Sequence, residues 1–83
     1  MKLQNELEFV KKRFADNLDK IKLYAPQLKE SKQYKDFETR LAHDCMRAFV
    51  GVGTICDWYD KYNCNDTHVT TLGKRVLKEL GII

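Results

Sequence analysis

Apolar residues at spacings of three and four run through the first quarter of the chain and predict one long amphipathic helix. They are Leu3, Leu7, Val10, Phe14, Leu18 and Ile21. Charged side chains fill the other faces, and this spacing matches the 3.6 residues per turn of an α-helix. Pro26 disfavours helical geometry at Ala25. We therefore expect this helix to end near Tyr24, after roughly 22 residues or about 33 Å.

The length of this apolar stripe raises the question of a helical partner. A coiled-coil register from Phe14 would place Asn17 on the seam, where an asparagine can define register or partner number. An ordinary amphipathic helix is favoured, because about three heptads are marginal for a coiled coil. The stripe is nevertheless long for the core of 83 residues to cover, so we expect a homodimer formed through the first helix.

A second helical stripe follows a short connector. Ser31 is the best N-cap before it, and its apolar members are Tyr34, Phe37, Leu41, Cys45, Ala48, Phe49 and Val52. Gly51 and Gly53 then predict a break or kink, since each glycine costs up to about 1 kcal/mol inside a helix. The alternative is one continuous helix over residues 32–62, in which the two glycines allow a close helix–helix approach.

Two shorter helices are expected after the glycines. Thr54 is the expected N-cap of the third, with Asp57 three residues later, and its apolar face consists of Ile55, Trp58, Tyr59 and Tyr62. Asn63–Asp66 has the composition of a turn, and Asn65 or Asp66 can cap the fourth helix. The fourth stripe is Val69, Leu72, Val76, Leu77 and Leu80. Gly81 should end that helix, with Ile82 and Ile83 packed beyond it.

These patterns predict an all-α fold, because no stretch alternates as a strand does. We expect a single helical domain over residues 1–83. It should be a small three- to four-helix bundle with a long N-terminal helix, an antiparallel helical hairpin and a C-terminal helix-turn-helix-like pair. Charged residues make up 33% and hydrophobic residues 43% of the chain, which is a globular composition. At this length a core buries roughly 60–65% of the unfolded surface, which is only just sufficient.

The expected cellular compartment is inferred from two kinds of segment, a membrane span and a signal peptide, that the sequence does not show. No run approaches the ~18 apolar residues that span a bilayer, and the first residues do not have the layout of a signal peptide. Three cysteines at irregular spacing favour reduced thiols over a disulfide framework. We therefore expect a cytoplasmic protein that has no membrane partner.

The third and fourth helices have the dimensions of a helix-turn-helix, which makes DNA the alternative partner. The candidate groove and phosphate contacts are Asn65, Thr67, His68, Thr70, Thr71, Lys74, Arg75 and Lys78. Two observations weigh against this alternative. Residues 54–83 carry four Lys/Arg and four Asp/Glu, and no Arg or Gln at the helix start can read a base with two hydrogen bonds.

Metal binding and catalysis have weaker support. Cys56, Cys64 and His68, with His43 or Cys45 as a fourth donor, are candidate zinc ligands, but strong zinc sites show a CxxC knuckle and none is present. An active thiol also needs a base, an orienting group and an oxyanion site, and no pattern here links them. We expect no metal, no cofactor and no enzymatic activity.

The aromatic and acidic residues of the third helix give the leading functional prediction. Trp and Tyr are enriched at binding hot spots, and the candidate protein-binding residues are Asp57, Trp58, Tyr59, Asp60 and Tyr62. We predict a non-enzymatic protein-interaction module, an adaptor or a stoichiometric inhibitor. Small chains without motifs include many accessory proteins of phages and mobile elements, such as blockers of host defence. The alternative is a helix-turn-helix transcriptional regulator.

Overall fold

The computed structural model describes residues 3–31 and 36–83, and within these ranges the chain is helical and has no strand. The elements in chain order are a 3-10 turn at Leu3–Glu6, α1 at Leu7–Asp16, α2 at Leu18–Glu30, α3 at Phe37–Cys45, a π-helical turn at Met46–Gly51, α4 at Val52–Tyr62 and α5 at Asp66–Glu79. The predicted small all-α bundle is confirmed. None of the described helices has the length and apolar character needed to cross a membrane.

The first helical segment is interrupted in its middle. Asn17, at φ −116° and ψ 21°, separates α1 from α2. Its side-chain amide donates a 2.7 Å hydrogen bond to the carbonyl of Arg13, so the asparagine satisfies a backbone group that the interruption frees. The predicted single long helix is therefore two helices that follow each other directly.

Pro26 does not end this segment, and the predicted end near Tyr24 is wrong. Helix α2 continues through the proline to Glu30. Pro26 has no N–H, so the carbonyl of Lys22 loses its donor one turn later. Pro26 itself is exposed, while Ala25 and Leu28 lie on the inner side of α2 and join the core. The burial of these two side chains offsets the lost hydrogen bond.

The start of α3 also differs from the expectation. Ser31 lies at the end of α2, where its hydroxyl donates to the Leu28 carbonyl at 2.8 Å; its prediction as an N-cap is wrong. Asp36 is the N-cap of α3, and its carboxylate accepts the Thr39 N–H at 3.1 Å. Tyr34, assigned to the stripe of this helix, lies outside the described residues.

The predicted break at the glycines is present as a π-helical turn. Gly51 ends that turn at φ 106° and ψ 141°, a backbone conformation that is essentially restricted to glycine. Helix α4 then begins at Val52, so Thr54 is not its N-cap. The π turn holds more residues than an α-helical turn, and it rotates the stripe so that Ala48 and Val52 are exposed while Val50 is buried.

Both ends of α5 follow the predicted capping chemistry. Asn65 accepts the His68 N–H at 3.3 Å, and the His68 ring accepts the Asn65 N–H at 3.1 Å, which closes a capping box. At the other end, Gly81 has φ 78° and Ile82 donates to the Leu77 carbonyl at 2.9 Å. This is the Schellman arrangement. Ile82 and Ile83 pack against the core, as expected.

Helix α5 packs mainly on α3 and α1, and the core lies between these three helices. The fully buried side chains of the core include Leu3, Val10, Phe14, Ile21, Leu41, Met46, Val69, Val76 and Leu77. Four of these residues belong to the N-terminal stripe. This one chain covers these four residues, while Leu7 and Leu18 are half-buried; the homodimer through the first helix stays a prediction.

Candidate protein-interaction surface

The inner face of α4 is a packing face and not a binding face. Trp58 is 5% exposed, and its ring meets the ring of Phe9 edge-on, with centroids 6.2 Å apart. Ile55 is buried beside it. Trp58 is therefore a core residue, contrary to its prediction as a protein-binding residue.

The two tyrosines of α4 connect this helix to the rest of the chain. Tyr59 donates to the Asp66 carboxylate at 3.2 Å, and burial, together with the Asp66 charge, raises the pKa of the Tyr59 phenol. Tyr62 donates to the Glu6 carboxylate, and Lys61 lies 3.8 Å from the same Glu6 oxygen. Both rings are half-buried. Their hydrogen bonds hold α4 against the first turn of α5 and against the 3-10 turn. Both tyrosines therefore stabilise the position of the helix.

The outer face of α4 makes no such contacts within the part of the chain that the structure describes. We call this surface the α4 outer face; it consists of Val52, Gly53, Cys56, Asp57 and Asp60, all of them exposed. Val52 is 45% exposed. Neither Asp57 nor Asp60 makes an ion pair or a side-chain hydrogen bond with any residue that the structure describes. Two unpaired carboxylates and an exposed apolar side chain on the outer side of one helix suit a partner that offers both cations and an apolar contact.

The candidate zinc ligands are not brought together. Cys64 donates to the Trp58 carbonyl at 3.4 Å, and the His68 Nδ1 is occupied by the capping box. Cys45 is buried, and this burial raises the pKa of its thiol to about 12. Within residues 3–31 and 36–83, no three His, Cys, Asp or Glu side chains are grouped so that they could hold a metal ion.

Most candidate DNA-contacting residues on the first turns of α5 have roles inside the chain. Asn65 and His68 form the capping box, and Thr70 is 8% exposed. Thr71 donates its hydroxyl hydrogen to the Thr67 carbonyl at 2.9 Å. A helix that reads bases needs free donors and acceptors at this end. Of the five polar candidates here, only Thr67 keeps an exposed side chain that makes no hydrogen bond to any residue the structure describes.

The basic candidates of α5 lie further along the helix. Lys74 is 3.7 Å from the Asp36 carboxylate and is half-buried. Arg75 and Lys78 are exposed, and neither makes an ion pair within the described residues. The structure therefore leaves two exposed cations for phosphate contacts, while Asp66 places a negative charge at the start of the same helix.

A polar network that the sequence patterns did not reveal joins three helices. His43 of α3 lies between two carboxylates, with Nδ1 3.3 Å from Asp44 and Nε2 3.9 Å from Asp66. Tyr24 of α2 donates to Asp44, and Arg40 lies 3.2 Å from the same carboxylate. Only the Arg40–Asp44 pair has the four-residue spacing that a sequence can indicate. The His43–Asp66 and Tyr24–Asp44 contacts join different helices, so they depend on how the helices pack.

Comparison with known proteins gives no relative: neither a family model, nor a curated protein, nor a solved structure matches this chain.

Proposed function

We propose that this chain is a non-enzymatic protein-interaction module, an adaptor or a stoichiometric inhibitor, which binds its partner through the α4 outer face. One observation carries the proposal: Asp57 and Asp60 stand unpaired, among the described residues, on the exposed side of α4 that also carries Val52. Both carboxylates are available to a partner without the loss of an internal ion pair.

The bracing of α4 supports this role. Trp58 packs on the inner side, and the Tyr59 and Tyr62 hydroxyls bind Asp66 and Glu6. A helix that is already held in its bound conformation loses less conformational entropy when it binds. The outer face of an 11-residue helix is about 16 Å long, which suits an interface at the low end of the usual range, on the order of 1,200 Å² in total.

The expected partner is a protein surface with Lys or Arg side chains around a small apolar depression. Carboxylates at a rim mainly raise the association rate and the selectivity, while an apolar anchor supplies affinity. The three free cysteines support a cytoplasmic setting. A phage or mobile-element protein that blocks host defence would be one instance of this class.

The test begins with identification of the partner by cross-linking from Cys56. A thiol-reactive photo-crosslinker attached there lies on the α4 outer face, because Cys56 is the exposed cysteine. The captured partner is then titrated with wild-type chain and with the variant D57N/D60N. We expect at least about a tenfold loss of affinity and a weaker dependence on salt.

The matched control is D16N/D19N, which removes two exposed carboxylates from the α1–α2 segment. It changes the net charge equally and should leave the affinity unchanged. Equal binding by D57N/D60N and wild type, with equal thermal stability, would contradict the proposed surface.

Arg75 and Lys78 keep DNA binding as a second candidate function, because both side chains are exposed and unpaired within the described residues. A DNA-binding chain should shift a duplex at low salt, and the logarithm of its affinity should fall with log salt by about 0.9 per phosphate contact. R75Q should then reduce that slope by about one contact. A chain that shifts no duplex at low salt is not a DNA-binding regulator.

A further inference from the structure

A cavity of about 120 Å³ lies between the 3-10 turn and α5. Its lining residues are Leu3, Gln4, His68, Thr71, Leu72 and Arg75. Leu3 and Leu72 are buried, so the floor is aliphatic, while the other four residues surround it with polar groups. None of these residues belongs to the α4 outer face, so the cavity and that surface are separate sites.

The capping box determines what His68 offers to this cavity. Its Nδ1 accepts the Asn65 N–H at 3.1 Å, so Nδ1 carries no hydrogen. The hydrogen of the neutral ring is therefore on Nε2, which becomes a donor. Nε2 has no partner within the described residues.

Arg75 supplies a second group of donors on the same side of α5. His68, Leu72 and Arg75 are spaced by four and three residues, which aligns them on one side of a helix. The guanidinium keeps its charge and can bind both oxygens of a carboxylate. Glu79, one turn beyond, makes no ion pair with Arg75. The rim thus combines a cation and a ring N–H above an aliphatic floor.

We propose that this cavity binds a short branched aliphatic carboxylate. The branched alkyl group packs on Leu3 and Leu72, and the carboxylate oxygens accept from Arg75 and from the His68 Nε2–H. The volume of about 120 Å³ is enough for a four-carbon alkyl group, because a cavity of about 150 Å³ holds the six carbons of benzene. Two sources share this chemistry: a free short-chain acid, and the C-terminal Leu, Ile or Val of another protein.

The test is an NMR titration of the full 15N-labelled chain with isovalerate. We expect saturable shifts at the backbone amides of the lining residues, with a dissociation constant on the order of 1 mM, which is usual for so small a ligand. Isovaleramide keeps the alkyl group without the charge, and phosphate keeps a charge without the alkyl group. Both should bind at least about tenfold more weakly.

Two charge-matched variants locate the site. R75Q should weaken isovalerate binding by about tenfold or more. K78Q removes a cation from the neighbouring surface of α5, outside the cavity, and should have no effect. H68Q removes the ring N–H and keeps the Arg75 charge. We expect it to weaken isovalerate binding less than R75Q does.

The source of the ligand is decided with acetyl-Ala-Leu as a free acid and as an amide. Tighter binding of the free-acid peptide than of isovalerate assigns the cavity to a protein C-terminus, and equal or weaker peptide binding assigns it to a free acid. The proposal is overturned if isovalerate and isovaleramide bind equally, or if phosphate binds as well as isovalerate. It is also overturned if R75Q and K78Q change isovalerate binding alike, or if isovalerate causes no saturable shifts.

Discussion

Gly73 of α5 lies so close to Ala42 of α3 that a Cβ atom on Gly73 would be 3.2 Å from the Ala42 Cβ and 3.2 Å from the Ala42 carbonyl oxygen. The same Cβ would be 2.8 Å from the Met46 Cγ. Both helices contribute to the centre of the core here, since Ala42, Met46 and Gly73 are buried. The missing side chain is what allows α3 and α5 to approach.

G73A should therefore destabilise the fold although alanine is the better helix former. The Met46 side chain can move, but the Ala42 carbonyl is backbone, so the helices must separate slightly. Overpacking of this kind costs about 1–3 kcal/mol, against a gain of about 1 kcal/mol in helix propensity. We expect a net loss of about 1 kcal/mol in the free energy of unfolding, measured by urea denaturation.

The matched control for this change is G53A. A Cβ atom on Gly53 meets no heavy atom within 4 Å, and the residue lies in α4. Stability should rise by about 0.5 kcal/mol. Equal effects of G73A and G53A would mean that the α3–α5 contact is not tight.

G51A should destabilise the chain for a different reason. A Cβ atom on Gly51 also finds open space, but φ is +106°, where L-residues are strained by about 1–3 kcal/mol. We expect a loss of that size in denaturant unfolding. Since G51A and G53A lie two residues apart with opposite expected signs, stabilisation by both would refute the conformation at Gly51.

The three thiols should react in a defined order. Cys56 is exposed, whereas burial raises the pKa of Cys45 to about 12 and also raises the pKa of Cys64. The thiolate is the reactive form, so a raised pKa lowers reactivity at neutral pH. Alkylation by iodoacetamide, followed by peptide mass spectrometry, should modify Cys56 first, then Cys64, and Cys45 only on unfolding. Early modification of Cys45 would contradict its burial.

Asp36 should contribute to the acid sensitivity of the fold. Its pKa is lowered, first by the hydrogen bond from the Thr39 hydroxyl and next by the Thr39 N–H. A carboxyl with a lower pKa in the folded state stabilises the fold above its unfolded pKa, which is near 3.8. This contribution is lost as the pH falls through the lower, folded value.

The measurement is the thermal midpoint as a function of pH from neutral to strongly acidic conditions. D36N keeps an N-cap acceptor without the charge, so its midpoint should depend less steeply on pH than that of wild type in the acidic limb. D19N is the control, because Asp19 is exposed and makes no ion pair within the described residues. Parallel curves for D36N and wild type would rule out the contribution.

Predictions from local chemistry succeeded at α5 and beside Gly51, but failed at Ser31 and Thr54, neither of which is an N-cap. Asn65 and Gly81 cap the two ends of α5 as their residue types indicated, because capping needs only neighbours in sequence. The break beside Gly51 was predictable for the same reason. The stripe members Val10, Phe14 and Ile21 are all buried, since helical period alone assigns an inner face.

Predictions that needed the neighbouring helices failed. A proline ordinarily marks a helix end, yet α2 passes through Pro26 because Ala25 and Leu28 are held in the core. The composition of α4 indicated an aromatic binding patch. The structure instead places Trp58 inside and engages the Tyr59 and Tyr62 hydroxyls. Whether an aromatic ring is buried depends on what packs against it.

The sequence by itself determined the helical class, the caps of α5 and the glycine break, because helical period and capping act over one or two turns. Tertiary structure alone decided that Gly73 meets Ala42, that His43 lies between Asp44 and Asp66, and that Leu3 and Leu72 floor a cavity. Except for the adjacent His43 and Asp44, these contacts join residues more than twenty positions apart. Their geometry follows from the packing of whole helices, which no local pattern encodes.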